Sequence, residues 1–461
     1  MNHTMRLLYD HLPARLRSVA ASTHGYSLRR WRYGRDTELL VERSLESDRW
    51  THQQWMAWHA DRLSRILRRA ATCVPFYRSF WQTGRRQGNP DSWRRLENWP
   101  ILEKEPVRQD PGSFVATGCR PDRLHLEHTS GTTGTPLNLW QSRDMLRCWY
   151  ALFEARCRRW YGVSRGDRWA MLGGQVVTPV GRRRPPFWVW NAALNQLYMS
   201  NYHLAADCIP HYLEALRRYR IVHLLGYTSS LHALAREAIR LGRDDLRMKV
   251  AVANGEPVYE YQRRAIGAAF HCPVRETYGM AEKVAAASEC EHGRLHVWPE
   301  AGWIEVLENG RPVEPGSSGD LVITGLLNLE MPLVRYRVGD RGRLARPGTS
   351  CPCGRSLPLL LSLDGRTDDV LQTRDGRRVP QMDPCFKDDL PIREAQVVQE
   401  TLENLRILYV PARGFNATHR QAMIEHYRAR MGEVQVILEE VPQVPRGANG
   451  KFQAVVCKLS R

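Results

Sequence analysis

The stretch HTSGTTGTP, His128 to Pro136, crowds serine and threonine hydroxyls around two glycines, between a strand-like segment and a polar run that returns to apolar residues. Glycines let a backbone turn tightly and aim successive N–H groups into one concavity, and the hydroxyls add donors. Ser130 to Thr135 therefore has the makings of a polyphosphate cradle. A Walker-type loop is excluded: it needs Gly-Lys-Ser/Thr after a four-residue gap, and here Gly134 is followed by Thr135 and Pro136. Taken alone, such a stretch is more often a plain surface turn, so its companions must decide.

At 461 residues the chain exceeds a single average core, and its apolar share of 43% is that of a globular protein, so two or more domains are expected. No run of about 18 uncharged apolar residues occurs, and charge interrupts the opening MNHTMRLLYDHLPARLR before a signal-like stretch forms. The expectation is a cytoplasmic protein without a membrane span. The formal charge of +18 would ordinarily suggest nucleic acid or an anionic surface, but it is almost wholly arginine, spread from Arg6 to Arg461, with only six lysines. A nucleic-acid partner is therefore not expected. Eleven cysteines, an odd number without a secretion signal, imply reduced thiols with room for a metal site.

Residues 1 to about 100 read as a basic helical leader, with apolar positions at helical spacing in WMAWHADRLSRILRRAATCVPFYRSFW and a stop at Pro75. From about 120 to 345, strand-like runs (WAMLGG, IVHLLGY, KVAVANG, GDLVITGL) alternate with helical ones (LHALAREAIR, YEYQRRAIGAAF), the pattern of a layered α/β architecture. From about 368, REAQVVQE, RILYVP, a helix around THRQAMIEHYRARM and VQVILEEV suffice for a small α+β domain. The proline-rich basic segment VTPVGRRRPPF, 177–187, is expected to be a mobile loop.

Four companions accompany the hydroxyl-rich stretch. In ETYGMAE, Glu276 to Glu282, the tyrosine can stack on a nucleobase and the second carboxylate can hold magnesium against phosphate oxygens. MPLVRYRVGD ends at Asp340, an aspartate at a strand end able to accept both hydroxyls of a ribose. GRTDDVLQTRDGRRVP starts at Gly365, and PRGANGKFQAVV places Lys451 in a glycine-flanked turn.

These segments, in this order, resemble the adenylate-forming superfamily, and within it the phenylacetate-CoA ligase family and its capsule-biosynthesis branch. The likeness spans most of the chain and includes VPFYRSFW, WPILEKEPVR, GYTSSL at 226–231, NGEPVYEYQR at 254–263 and CPCGRSLP at 351–358. It implies an adenylate-forming enzyme fold, with a large layered α/β N-terminal domain (1–366) and a small, mobile α+β C-terminal domain (367–461). It further implies that Ser130, Gly131, Thr132, Thr133, Gly134 and Thr135 wrap the phosphates of ATP, and that Tyr278 and Gly279 meet adenine. The Gly255-Glu256-Pro257 turn would close the base pocket, Glu282 would bind Mg2+, and Asp340 and Arg366 would serve the ribose or phosphate. Lys451 would bridge carboxylate and α-phosphate in the first half-reaction, offsetting their repulsion. Asp368 would be the pivot about which the small domain turns, and Gly376 would line the pantetheine tunnel if coenzyme A is the acceptor. The acid pocket is expected among Tyr227, Asn254, Met280 and the loop near Gln175, the aromatic and thioether groups favouring an aromatic or medium apolar acid. Two departures stand out: Gly134-Thr135-Pro136 where family loops often have Gly-Lys-Pro, and Gln453 where a basic residue is common.

Cys290, His296, Cys351 and Cys353, with His292 as a substitute, can supply four tetrahedral ligands for a structural Zn2+, and some relatives of the branch bind zinc through comparable residues. The function expected is ATP-dependent activation of a carboxylic acid and transfer to coenzyme A. An amine or hydroxyl acceptor, and a non-catalytic nucleotide-binding homologue, are the alternatives. The sequence leaves the oligomeric state open, a dimer included.

Overall fold

The computed structural model describes Tyr9 and residues 11–86, 92–129, 137–366, 371–374, 378–379, 390–446 and 452–459. Ser130 to Thr135, Asp368, Gly376 and Lys451 lie outside the described residues, and of Arg366 only the backbone is described. The chain forms two compact units. One comprises Met1–Glu305, Val322–Arg337 and Leu344–Leu361; the other comprises Val306–Leu321, Val338–Arg343 and Ser362–Arg461. The second unit thus also takes in two stretches that precede 362 in the chain. Among the described residues no helix is long and apolar enough to cross a membrane.

The first unit opens with helices α1 (Ala14–Arg32), α2 (Arg35–Ser47), α3 (His52–Cys73) and α4 (Pro75–Arg86). Thr51 starts α3 with a capping box, its hydroxyl accepting the Gln54 N–H while the Gln54 side chain accepts the Thr51 N–H. Trp55, His59, Ile66, Leu67 and Ala70 form the buried face of α3 at helical spacing. Pro75, which has no N–H to give an ongoing helix, ends α3 and begins α4. A short α5 (Lys104–Gln109) follows. Strands β1 (His125–His128) and β2 (Asn138–Gln141) then pair as an antiparallel hairpin, and α6 spans Arg143–Cys157.

The main sheet of this unit contains β3 (Trp169–Gly173), β4 (Trp188–Asn191), β5 (Gln196–Ser200), β6 (His223–Tyr227), β7 (Val250–Asn254), β8 (Val274–Gly279), β9 (Ala286–Glu289), β10 (Leu295–Val297) and the start of β15 (Leu359–Arg366). Their order is β15–β10–β9–β8–β7–β6–β3–β5–β4. Strands β8, β7, β6, β3 and β5 run parallel, while β9 and β4 flank them antiparallel. The crossovers are α7 (Ile209–Arg218), α8 (Thr228–Arg240) and α9 (Glu260–Phe270). Helices on the sheet explain the unbroken apolar runs HLLGY and VAVAN, since a covered parallel strand has no polar face. Leu172, Leu197, Leu224 and Ala251 of the sheet pack with Leu231, Leu234, Ile266 and Phe270 of the helices in one buried core.

The segment 177–187 has packed ends. Val177 and Phe187 are buried, the Tyr9 hydroxyl donates to Val177 O at 3.2 Å, and the Arg17 guanidinium meets the Thr178 hydroxyl.

In the second unit, Leu307 and Glu308 at the end of β11 (Gly302–Glu308) pair with β12 (Arg311–Pro312). Strand β13 (Gly319–Gly325) starts here, and β14 (Tyr336–Leu344) passes through it. Beyond a two-residue pairing of β16 (Leu371–Gln372) with β17 (Arg378–Val379), β18 (Ile392–Gln399) and β19 (Asn404–Pro411) form an antiparallel pair. Helix α10 (Ala417–Met431) crosses over to β20 (Gln435–Glu440), parallel to β19, and β21 (Val455–Cys457) closes the order β20–β19–β18–β21. Val397, Ile407, Tyr409, Met423 and Tyr427 fill the core of this α+β layer pair.

Candidate active site

In an open parallel sheet, ligands sit at the carboxyl ends of the strands. Here that edge carries Tyr227 opposite Asn254, and Asn254 opposite Thr277, one residue before Tyr278. Gly255, at φ 71°, turns the chain out of β7. The Glu256 carboxylate accepts the Ser229 N–H at 2.7 Å and the Ser229 hydroxyl at 3.1 Å, and Glu256 O accepts the Thr228 hydroxyl at 3.1 Å. Glu256 thereby caps the N-terminus of α8, where an anion meets unpaired amides and the positive end of the helix dipole. Burial, and then the Glu256 charge, push the Tyr227 phenol up to about 12, against a hydrogen bond from the Gly174 backbone. The Tyr202 hydroxyl donates to Gly174 O at 2.9 Å and Gln175 N–H donates to the Tyr198 hydroxyl at 3.3 Å, so three tyrosines pin the loop after β3. Gln175 is exposed and Met280 half-buried. Asn254 Oδ1 is buried and accepts no hydrogen bond among the described residues.

Glu282 lies beyond β8, with Oε1 accepting the Tyr336 hydroxyl at 2.9 Å. Tyr336 is fully buried because the N-terminal motifs pack on its strand: Leu102 bridges to it, the Tyr77 hydroxyl accepts the Val334 N–H at 3.1 Å, and Arg335 donates to Trp99 O at 2.8 Å. The next residue, Lys283, reaches the β1/β2 hairpin, its Nζ 3.1 Å from Gln141 Oε1 and 3.4 Å from Glu127 Oε2. Burial pulls the Lys283 ammonium below its ordinary value and the Glu127 charge works against that. Beyond β1, Thr129 N–H donates to Leu137 O at 3.2 Å, and the Thr129 hydroxyl accepts the Leu137 N–H at 2.9 Å. Thr129 and Leu137, the described residues on either side of 130–136, are therefore held together.

Asp340 differs from expectation. It is not at a strand end: β14 continues to Leu344, so Asp340 sits half-buried at mid-strand, in the second unit. Gly339, at φ 84°, explains the misreading, because it takes a left-handed conformation inside the strand without ending it. Burial and the neighbouring Glu289 push Glu276 up to about 7, although Arg263 opposes them.

The Cys/His cluster is assembled. The ligand atoms of Cys290, His296, Cys351 and Cys353 all lie within 4.8 Å of one another, and His292 is exposed and outside the group. Cys290 Sγ and Cys351 Sγ are 3.7 Å apart, and Cys353 Sγ and His296 Nε2 3.3 Å. Zinc bonds of about 2.3 Å to sulfur and about 2.05 Å to nitrogen give tetrahedral edges of about 3.8 and about 3.6 Å, so the donor set fits that ion. His296 Nδ1 lies 3.4 Å from Leu357 O, which orients the ring and leaves Nε2 facing the thiols.

Two residues in this region escaped the sequence reading, Lys283 and Tyr336. The available signal for the first was its rarity: it is one of six lysines and directly follows the motif carboxylate. For Tyr336 there was none, since a tyrosine in a strand is ordinary core material.

A parallel sheet with motif residues at its carboxyl edge and an α+β unit make up an adenylate-forming enzyme fold. Residues 371–458 match the family described as the CapK C-terminal domain. Protein CapK of Staphylococcus aureus is 23% identical over 422 residues, 88% of this chain and 88% of its own length. The phenylacetate-coenzyme A ligase of Pseudomonas putida is 27% identical over 335 residues, 68% of this chain and 71% of that protein. The crystal structure of 2-hydroxyisobutyryl-CoA ligase in the postadenylation state with 2-HIB-AMP shares the fold, with a TM-score of 0.66 at 21% identity over 87% of this chain and 88% of that one. The chain is thus similar to CapK and to phenylacetate-coenzyme A ligases over two thirds or more of its length, and it has the fold of adenylate-forming ligases.

Proposed function

We propose that the chain activates a carboxylic acid with ATP and transfers the acyl group to coenzyme A. The carrying observation is the turn after β8, where Glu282 is bonded to Tyr336 and the next residue, Lys283, to Glu127 and Gln141 of the β1/β2 hairpin. In the first step an acid oxygen attacks the α-phosphorus of ATP, the Pα–O bond to the β-phosphate breaks, and pyrophosphate leaves. The hydroxyls and amides of Ser130, Gly131, Thr132, Thr133, Gly134 and Thr135 serve the leaving phosphates, replacing water with preset donors. Tyr278 and Gly279 serve adenine, with the Gly255-Glu256-Pro257 turn closing the base pocket; Asp340 serves the ribose, Arg366 the ribose or phosphate, and Lys451 the attacking carboxylate and α-phosphate. Glu282 would hold Mg2+, whose charge neutralises the phosphates when bound. In the second step the coenzyme A sulfur attacks the acyl carbon and AMP leaves, after the small domain has turned about Asp368.

The acid lies against Tyr227, Asn254, Met280 and the loop at Gln175. The unpartnered acceptor Asn254 Oδ1 and the tyrosine hydroxyls around Gly174 support an acid with a donor group as well as an apolar body. Cys290, His296, Cys351 and Cys353 would hold a structural zinc.

ATP–pyrophosphate exchange across a panel of carboxylic acids tests the reading, with mass spectrometry of products formed with coenzyme A, amines and alcohols. Exchange with at least one acid, abolished in Lys451→Ala, is expected. No exchange with any acid would sink it.

A further inference from the structure

The turn that carries Glu282 is tied to both strands of the β1/β2 hairpin through one buried cation. Lys283 is 8% exposed and stands at φ 54°, a left-handed conformation that residues with side chains rarely adopt. Its N–H closes the turn onto Met280 O at 3.1 Å. Its Nζ lies 3.1 Å from Gln141 Oε1 on β2, 3.4 Å from Glu127 Oε2 on β1 and 3.4 Å from Ala281 O. Gln141 completes the clasp, its Nε2 donating to Ala281 O at 3.2 Å. An ammonium has three donors. Three acceptors take them, which leaves none for a phosphate oxygen. One residue earlier in the same turn, the Glu282 carboxylate goes to the Tyr336 hydroxyl.

We propose that Lys283 is a positioning residue for the nucleotide site. It sets the separation between the Glu282 carboxylate and the hairpin strands, and through them the geometry in which MgATP is held. This inference rests on the ligase reading above. Thr135 stands where related loops often carry lysine, and the cation of this chain lies instead at the base of the hairpin, where it acts on the phosphates through the groups it holds rather than by contact.

The test compares wild type with Lys283→Met, Lys283→Arg and Gln141→Leu in direct MgATP binding by calorimetry and in ATP–pyrophosphate exchange. Gln141→Leu cuts the clasp from the hairpin side and keeps the lysine, so it decides the matter if Lys283→Met fails to fold. The expected result is a rise of about tenfold or more in Kd and KM for MgATP in Lys283→Met and Gln141→Leu, the scale of one charge-assisted hydrogen bond. The Mg2+ needed for half-maximal exchange rises with it, KM for the acid stays unchanged, and Lys283→Arg recovers part of the loss. Wild type that binds MgATP beside folded variants that bind it equally well overturns the inference alone. Wild type that binds no MgATP overturns the ligase reading and the inference together. A uniform loss in acid KM, MgATP KM and unfolding temperature, without rescue by arginine, reduces Lys283 to a support of the fold and also overturns the proposal.

Discussion

Replacing Cys351 by serine removes one corner of the Cys290, His296, Cys351, Cys353 tetrahedron. Two of its edges are 3.7 and 3.3 Å, against about 3.8 and about 3.6 Å for a zinc ion with normal bond lengths, so the ion enters with little rearrangement. Because the donors come from two turns some 60 residues apart in the chain, Cys290–His296 and Cys351–Cys353, the ion cross-links segments that an unfolded chain leaves free. Zinc at about 1,000 times its Kd stabilises the folded chain by about 4 kcal/mol, which for a unit of this size moves the unfolding temperature by roughly 5–10 °C. The assay is elemental analysis of protein purified without chelator, paired with thermal unfolding before and after dialysis against a chelator. One zinc per chain is expected in wild type, with the metal and the thermal increment both lost in Cys351→Ser and Cys290→Ser and both kept in His292→Ala. Metal-free wild type whose unfolding temperature equals that of Cys351→Ser refutes the reasoning.

Three further outcomes are expected. Arg156 is fully buried and bonds Asp48 at 2.9 Å and Glu300 at 2.7 Å, so Arg156→Leu strands two carboxylates and costs about 3–5 kcal/mol in urea unfolding. Burial already raises Asp48, and without the arginine it rises further; stability held below its unfolded value is lost as pH rises through its folded value, so the deficit shrinks as the pH falls. Glu276 is pushed up to about 7 from 4.5, chiefly by burial, so the folded chain binds its proton more tightly than the unfolded chain. Wild type therefore loses stability as pH rises from about 4.5 through about 7, by at most about 3 kcal/mol, and Glu276→Gln removes that slope from urea midpoints taken across the range. Tyr336→Phe frees Glu282 from its 2.9 Å bond, and the Mg2+ concentration for half-maximal pyrophosphate exchange rises severalfold while KM for the acid holds; an unchanged Mg2+ requirement would count against a role for that bond.

Strand and helix positions were readable wherever local chemistry and burial agree. WAMLGG, IVHLLGY and KVAVANG became β3, β6 and β7, and LHALAREAIR and YEYQRRAIGAAF became the crossover helices α8 and α9, because covered parallel strands and amphipathic helices have periods of their own. Pro75 was legible for the same local reason. Asp340 was misplaced at a strand end because a glycine looks like punctuation in a sequence, yet here Gly339 sits within β14 at positive φ without stopping it. Glu256 belongs to the turn after β7, as its motif suggested, but its carboxylate caps α8 through Ser229, 27 residues earlier in the chain.

The amino-acid sequence by itself determined the class of architecture, the order of its motifs and the four zinc-ligand candidates, because these depend on residue type and on spacing along the chain. Tertiary structure alone decided which of these meet. It chose His296 over His292, bringing the imidazole 3.3 Å from Cys353, and gave the Glu282 carboxylate to Tyr336, 54 residues away. It also buried Lys283 between Glu127 of β1 and Gln141 of β2. A lone buried lysine is costly until its acceptors arrive, and those acceptors sit about 150 residues back along the chain, beyond the reach of any local pattern.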